Sequence, residues 1–260
     1  MATAPQPTLP LFYNDLMPLN SRDHAKWRSK SLDSIDWLKG QHAVPLTVEE
    51  FAQAQRDFPI IFSSGDDPVP LALMGMNEGI NTFIDDEGKP IGEFYLPAYV
   101  RRYPFLLARL TPDAQDLSLC FDPTCDAIGA HKEGDELFDK EGKPAAPVQN
   151  ALSFCEQFEQ AGAKTQAFME EIKKHDLLMD GEIAITQNDK PDQPFVYRGF
   201  RMVDDTKLRA LSAEVLKTWN ENGLLPLLYA HLFSLDRMRV IFSRQVAQGK
   251  MPAPAVEGTA

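Results

Sequence analysis

The sequence predicts an α+β fold, with helices packed on a mainly antiparallel sheet built from hairpins and with a helical C-terminal part. Short apolar runs separated by turn residues fill much of the first half, and apolar residues at helical spacing fill the last third. The regular alternation of one strand with one helix, which is typical of parallel sheets, is missing. We expect a single domain over residues 10–247, with flexible ends at 1–9 and 248–260 where prolines and small residues gather.

Local signals place the elements of the first half. Thr47 and Glu50 have the spacing of a capping box, which favours the start of a helix. Pro97 suits the first turn of a helix, and the residue before Pro104 avoids helical backbone angles. The predicted elements, in chain order, are a helix from Thr47 to about Asp57, strands at 58–62 and 69–76, a hairpin of 81–84 with 91–95, a helix from Pro97 that breaks near Tyr103, a short helix at 105–110 and a strand at 117–121.

The second half is predicted to contain another hairpin and several helices. Leu208, Leu211, Val215 and Trp219 recur at helical spacing after a potential N-cap, Asp204. The predicted elements are a helix at 151–174 with a bend or a break at Gly162, a hairpin of 182–186 with 195–202, a helix that follows Asp204 and ends before Gly223, and a last helix at 224–245.

The charge and the hydropathy of the chain exclude several classes of protein. The 260 residues include 26 basic and 38 acidic side chains, which gives a formal net charge of −12. Binding to nucleic acid or to an anionic membrane is not expected, because both need clustered Lys and Arg. The most apolar run, 224–233, is too short for membrane insertion, since a spanning helix needs about 20 residues. The three cysteines are too few for a disulfide framework and no secretory signal is recognised, so a cytoplasmic location is expected.

One turn sequence occurs twice. The pattern D-x-E-G-K-P fills residues 85–90 and again residues 139–144, each time just after a Phe. Two interpretations remain open: a duplicated strand-turn unit, or a common solution for a tight turn that the chain reached twice.

Six segments carry a family resemblance: AVPL at 43–46, FPIIF at 58–62, GMNEGINTFID at 75–85, YLPAYVRRYPF at 95–105, FRMVD at 200–204 and GLLPLLYAHLFSL at 223–235. Together they resemble the bacterial SapC family over about residues 10–245. The resemblance implies an association with the bacterial surface layer and gene neighbours similar to flavin-dependent halogenases, cupins and outer-membrane receptors. It supplies no catalytic residue. A peptide-transporter permease of the same name is a different protein, with membrane-spanning helices that this sequence lacks.

The strongest candidate for a binding site is the aromatic and basic segment 94–105. Arg101, Arg102 and Tyr103 lie at a predicted helix end, where two guanidiniums and a phenol can hold a carboxylate or a phosphate. Tyr95 lies in the same segment, and Tyr and Arg are favoured anchors of interfaces. The alternative is that the arginines complement the helix dipole or pair with acids of this acidic chain.

Four further residues are candidates for the lining of a ligand site. Asn77 and Asn81 belong to a Gly/Asn loop whose glycines indicate positive φ rather than a phosphate loop. Tyr229 and His231 lie on the last predicted helix, where a histidine among Leu and Phe is more often a hydrogen-bonded core residue. The histidines and cysteines lack the spacing of a metal site, and no cofactor or catalytic set is expected.

Three hypotheses about function follow. The first is a cytoplasmic, non-catalytic accessory protein that binds a partner protein, a peptide or a small anionic ligand. The second is an enzyme in which His231, Tyr229, Arg101 and Tyr95 share a cleft, and which works with an oxidative or peptide-modifying system. The third is a component of the surface layer, which predicts export and self-assembly. We favour the first, because the sequence shows no combined set of nucleophile, base and metal ligands.

Overall fold

Antiparallel pairing joins the strands in the described part of the chain and the C-terminal part is helical, so the fold is α+β as predicted. The structure is a computed structural model that describes residues 9–111, 113, 116–187 and 190–251. The ends expected to be flexible, 1–9 and 248–260, lie largely outside the described residues. No helix among the described residues combines the length and the apolar character needed to cross a membrane.

The elements are numbered here in chain order. The strands are β1 (Met17–Pro18), β2 (Arg28–Ser29), β3 (Ala43–Pro45), β4 (Ile60–Phe62), β5 (Pro70–Leu73), β6 (Phe105–Ala108), β7 (Ser118–Phe121), β8 (Ile128–Gly129), β9 (Asp135–Glu136), β10 (Leu178–Gln187) and β11 (Lys190–Val203). The helices are α1 (Phe51–Ala54), α2 (Ala98–Arg102), α3 (Ala146–Lys174), α4 (Asp205–Arg209), α5 (Ala213–Glu221), α6 (Leu224–Ser234) and α7 (Arg237–Ala247), with single 3-10 turns at Asp36–Leu38 and Val48–Glu50.

The chain forms two compact units. The first comprises Met1–Ser34 and Val100–Glu159, and the second comprises Ile35–Tyr99 and Gln160–Ala260. Each unit is therefore built from segments that are distant in sequence. The expectation of a single domain over 10–247 stays a prediction.

The first unit contains two small antiparallel sheets. Their strand orders are β1-β7-β6 and β8-β2-β9. Strands of two to four residues bury little surface by themselves, so the packing of side chains between them matters more than the ladders. The core is a cluster of Phe121, Ile128, Leu137, Phe138 and Val148.

The second unit is organised by one five-stranded antiparallel sheet with the order β10-β11-β4-β5-β3. The central strands are apolar on both faces, since Ile60, Ile61 and Phe62 of β4 are all buried. This is expected where helices cover a strand on both sides. The long hairpin of β10 and β11 joins the sheet where Arg201 pairs with Phe62.

Several local predictions are confirmed. The Glu50 carboxylate accepts a hydrogen bond from the Thr47 backbone N–H, as a capping box requires, although the helical segment ends at Ala54. Asp204 caps α4 by accepting bonds from the backbone N–H groups of Thr206 and Lys207. The neighbouring strands β4 and β5, the strand β7 and the hairpin of β10 with β11 also lie where they were expected.

Two predicted elements in the first half are wrong. Residues 105–110 were expected to be a short helix, but Phe105–Ala108 form β6 and pair with β7. A helix of one or two turns is marginal by itself, so pairing with a neighbouring strand prevails. The hairpin of 81–84 with 91–95 is reduced to one bridge between Ile84 and Pro90 and one hydrogen bond from the Ile91 backbone N–H to the carbonyl of Phe83, and neither segment forms a strand. The carbonyl of Thr82 accepts from the side chains of Arg244 on α7 and of Gln248 just after it, instead of from a strand.

The boundaries of three helical predictions also differ. No break occurs at Gly162, because α3 runs without interruption through it and absorbs the cost of one glycine, about 1 kcal/mol. The helix expected after Asp204 is divided, since Ser212 caps a separate helix, α5. The last helix is divided after Ser234, whose hydroxyl donates to the carbonyl of His231 and accepts from the backbone N–H of Ile60.

The two D-x-E-G-K-P turns have the same geometry. One Oδ1 atom of Asp85 accepts two backbone N–H groups at 2.9 and 2.7 Å, and Asp139 does the same at 2.9 and 2.8 Å. Gly88 and Gly142 have φ angles of 78° and 77°, which favour glycine. One such turn belongs to each unit.

The loop at 75–81 requires a glycine at its first position for lack of space. A Cβ atom on Gly75 would lie 1.9 Å from the carbonyl oxygen of Ile80, which is backbone and cannot rotate away. Gly79 fulfils the expectation of positive φ, with a φ angle of 80°.

We predict that Gly75→Ala lowers the free energy of unfolding by about 2 kcal/mol or more, because the backbone must move to relieve the clash. The measurement is urea unfolding. Gly40→Ala is the matched control, since nothing lies within 4 Å of a Cβ atom there. Equal stabilities of the two variants would contradict the steric account.

Candidate functional site

The two candidate arginines stack on one face of α3. The guanidinium carbon of Arg101 lies 5.1 Å from the centroid of the Phe154 ring, and that of Arg102 lies 4.3 Å from the centroid of the Phe158 ring. Phe154 and Phe158 are four residues apart on the helix, so they lie one above the other. Each stacking contact contributes about 0.5–2 kcal/mol, depending on burial. Both cations therefore help to hold the end of α2 on the first part of α3, within the first unit.

Arg102 and Arg101 differ in their exposure to solvent. Arg102 is only 8% exposed, with Nη1 3.7 Å from Oε1 of Glu159 and the Tyr13 ring on another side. Arg101 is exposed. Of this pair, Arg101 is the guanidinium that a solvent-borne ligand can approach.

Tyr103 belongs to a buried hydrogen-bond network. Its hydroxyl donates to Oδ2 of Asp122 at 3.3 Å, and the same carboxylate accepts from the backbone N–H groups of Asn14 and Thr124. Burial, together with the nearby Cys125 and Asp122, raises the pKa of Tyr103. Burial also acts to raise the pKa of Asp122, but hydrogen bonds from Thr124 and Asn14 outweigh it and hold that pKa below its usual range. Tyr103 thus acts as a neutral donor inside the first unit.

Tyr95 is fixed by a second buried carboxylate, in the second unit. Glu50 is 5% exposed. Its Oε1 accepts from the Tyr95 hydroxyl at 3.1 Å and from the Ala98 backbone N–H at 2.6 Å, while its Oε2 accepts from Thr47. A buried carboxylate is tolerated only when donors surround it in this way. Glu50 therefore joins the start of α2 to the turn before α1, and sequence reasoning recognised only its local capping role.

Asn77 and Asn81 bind protein groups on either side of the 75–81 loop. The Oδ1 of Asn77 accepts from Nε2 of the fully buried Gln245 on α7 at 2.9 Å. The Nδ2 of Asn81 donates to the carbonyls of Leu38 and Gln41 at 3.1 and 3.0 Å. These contacts anchor the loop within the second unit.

His231 has the surroundings of a core histidine. It is 0% exposed, and its Nε2 accepts from the Val203 backbone N–H at 3.0 Å. Nδ1 must then carry the proton, which it donates to the carbonyl of Ile60 at 2.7 Å. Burial lowers the pKa of His231 to about 4, against a smaller opposing effect of the Ile60 hydrogen bond. The ring is neutral at physiological pH and both nitrogens are engaged.

Tyr229 lies beside an exposed aromatic surface that sequence reasoning missed. Its ring stacks on that of Phe233 at 5.8 Å, and Phe233 is 71% exposed, more than any other large hydrophobic residue in the described part of the chain. Beside Phe233 lies a groove of about 450 Å³ that Arg56, Asp236 and Arg237 also line. We call Tyr229, Phe233, Arg56 and Arg237 the α6 outer face. The signal in the sequence is a helix that is apolar on all sides, which needs cover on all sides.

The three cysteines are buried thiols, and the described residues show no metal-binding cluster. Cys120, Cys125 and Cys155 are buried and form no disulfide. Burial raises the pKa of each thiol, that of Cys155 to about 11, so the nucleophilic thiolate is scarce at neutral pH. Within the described ranges, no three His, Cys, Asp or Glu side chains converge in a way that could hold a metal ion.

Comparison with known proteins identifies the family. A model of the SapC family matches residues 19–241. The chain belongs to the SapC family. No curated protein and no solved structure matches it. The match spans segments of both units, and it includes the segment 95–105, whose Tyr95, Arg101, Arg102 and Tyr103 make the internal contacts described above.

The candidate residues of this SapC protein thus have different roles in the structure. Asn77, Asn81 and His231 are engaged by backbone or buried side chains, whereas Arg101 is exposed and Tyr229 is half-buried beside the exposed Phe233. Tyr229 and His231 share α6, but one faces the outer surface and the other the core. Ligand binding by the eight candidates stays a prediction.

We predict that Glu50→Gln destabilises the protein by about 2–3 kcal/mol. Both oxygens of the carboxylate accept hydrogen bonds, whereas the NH₂ group of the new amide is a donor and would face donor groups. Urea unfolding measures the loss. Glu49→Gln is the control: the neighbouring side chain is about half exposed and its ion pair with Lys164 is screened by water, so little change is expected. An equal loss of unfolding free energy in Glu50→Gln and Glu49→Gln would contradict the role of Glu50.

We predict that His231 makes stability depend on pH. Its pKa is about 4 when folded, against an ordinary value of 6.5, so its contribution is complete above pH 6.5 and is lost as the pH falls towards 4. Over that range the native state loses about 3 kcal/mol from this group. In His231→Gln, which gains no proton, unfolding free energies measured over the same range should fall less steeply. Parallel curves would refute the assignment.

Proposed function

We propose that this SapC-family protein is a non-catalytic binding protein that recognises a partner polypeptide through the α6 outer face. The observation that carries the proposal is the 71% exposure of Phe233 in a helix whose remaining residues are nearly all apolar. The ring of Phe233 is continuous with that of the half-buried Tyr229, and contiguous exposed apolar surface, unlike a single exposed side chain, marks contact surfaces.

The side chains around Phe233 are of the types that anchor interfaces. Tyr229 stacks on Phe233 and keeps its ring in place, so little conformational freedom remains to be lost on binding. Arg56 and Arg237 line the adjoining groove. Aromatic residues and arginine dominate the energetics of protein interfaces when a partner covers them.

The charge of this face indicates an acidic segment of the partner. The groove is lined by two guanidiniums, of Arg56 and Arg237, and by one carboxylate, of Asp236. Its lining is therefore positively charged, whereas the whole chain carries a net charge of −12. Opposite charges speed association and reject other partners. The proposed partner segment therefore combines an apolar side chain, which covers Phe233, with carboxylates that meet the two arginines.

The chemistry of the remaining residues supports a role without catalysis. His231 is neutral, and the three thiols have raised pKa values. The proposal places the protein in the bacterial cytoplasm, where buried thiols stay reduced and no disulfide is needed. The acidic composition also argues against nucleic acid as the partner.

The test places a photo-crosslinking amino acid at position 233 of the full chain in its native cell and, as a control, at Met179, which is 43% exposed on β10. The partner crosslinked at 233 is purified and titrated against variants. Phe233→Ser should weaken the Kd at least tenfold, as expected for an interface hot spot, and Met179→Ser should leave it unchanged.

Charge reversal provides an independent readout. Arg237→Glu should slow association and invert the dependence of the rate on salt, because the attraction of an acidic segment becomes a repulsion. A partner whose affinity survives both Phe233→Ser and Arg237→Glu would refute the assignment of this face. Crosslinking at Met179 without crosslinking at 233 would do the same.

A further inference from the structure

A second groove lies in the second unit, between α3, the turn Val48–Glu50 and the start of α6. Its volume is about 500 Å³, which falls within the range of small-molecule sites, about 300–1,000 Å³. The floor is apolar and is formed by Val48, Phe168, Leu224 and Leu227. This groove is separate from the α6 outer face, since the two share no lining residue.

The floor of the groove is held in shape before any ligand arrives. The ring of Phe168 makes an edge contact with Phe51 at 5.8 Å and stacks near Phe62 at 6.4 Å. Both of these partners are fully buried in the core of the second unit. A ligand would therefore find a preformed apolar surface, which lowers the entropic cost of binding.

The charged groups that line the groove are two carboxylates and one ammonium. Glu49 and Lys164 form an ion pair with each other and so compensate each other on one wall. Glu171 is the remaining charged group of the lining. The lining side chains therefore carry one net negative charge, in a chain whose net charge is −12, and both favour a cation. Lys174 also pairs with Glu171, but it does not line the groove.

Glu171 is oriented by a neutral donor. The indole N–H of Trp219, which is buried, donates to its Oε1 at 3.2 Å. Lys174 approaches Oε2 at 3.5 Å and His175 approaches Oε1 at 3.3 Å, but the Lys174 side chain is largely exposed and its pairing is screened. Burial acts to raise the pKa of Glu171, and the bond from Trp219 with the charge of Lys174 outweighs it, so the pKa is lowered. The carboxylate stays ionised at neutral pH.

We infer that this groove binds a small organic cation, with an aromatic or aliphatic body on Phe168 and an amine at the carboxylate of Glu171. An anionic ligand of the same shape would bring its charge against the carboxylate of Glu171, whereas Glu49 is compensated by Lys164. The inference is independent of the proposed partner polypeptide, because it concerns other residues and a small molecule.

The test compares three probes with the same body in titrations of the full chain: 2-phenylethylamine, 2-phenylethanol and 3-phenylpropionate. Fragments of this size bind with a Kd on the order of 1 mM. The readout is the NMR signal of the Trp219 indole N–H, which reports on Glu171 directly and is one of only three indole signals. 2-Phenylethylamine should bind at least tenfold more tightly than 3-phenylpropionate.

Variants separate the charge from the cavity. Glu171→Gln keeps an acceptor for Trp219 and should abolish the preference for the amine while it leaves binding of 2-phenylethanol unchanged. Ala167→Trp fills the groove and should prevent binding of all three probes. Gln166→Trp is the matched control, on an exposed position of the same helix that does not line the groove.

Three results would overturn the inference. One is tighter binding of 3-phenylpropionate than of the amine, which would indicate a carboxylate ligand. Another is equal loss of binding in Ala167→Trp and Gln166→Trp. The third is the absence of any shift of the Trp219 signal at concentrations well above the expected Kd.

Discussion

Each unit of this SapC protein depends on one buried carboxylate that must be supplied with hydrogen-bond donors. Glu50 draws donors from Thr47, Tyr95 and Ala98, and Asp122 draws them from Asn14, Tyr103 and Thr124. Because an unpaired buried charge costs several kcal/mol, these segments are held together more firmly than apolar contacts alone would hold them. The requirement explains why two tyrosines of the family segment 95–105 point inward.

Local signals in the sequence predicted those parts of the fold that depend on neighbouring residues. The capping residues Thr47 and Asp204 and the turn at Asp85 are such cases, since their partners lie within four residues. The errors concern segments whose conformation is set from a distance. Phe105–Ala108 became a strand because Ser118–Phe121 was available to pair with it, and no local pattern reveals that choice.

The site was predicted less well than the fold, for a related reason. Arg101 and Arg102 have the chemistry of an anion site, but whether an arginine faces solvent or an aromatic ring depends on α3, fifty residues further along the chain. Phe233 shows the opposite error: it is exposed, but sequence reasoning did not select it, because an apolar residue in an apolar run is ordinarily part of a core. The apolar character of α6 on all sides was the only signal, and it does not distinguish a helix that the same chain covers from one that a partner covers.

The twin D-x-E-G-K-P turns bear on the ancestry of the chain. Each residue of the shared pattern has a local structural role. The aspartate accepts hydrogen bonds from two backbone N–H groups, and the glycine adopts a positive φ angle. The glutamate and the lysine form an ion pair, and the proline takes part in the β-bridge. Beyond the turns the two segments diverge, since one enters α3 at Ala146 and the other stays irregular until Ala98. The geometry of this turn is therefore sufficient by itself to require the repeated residues in both places.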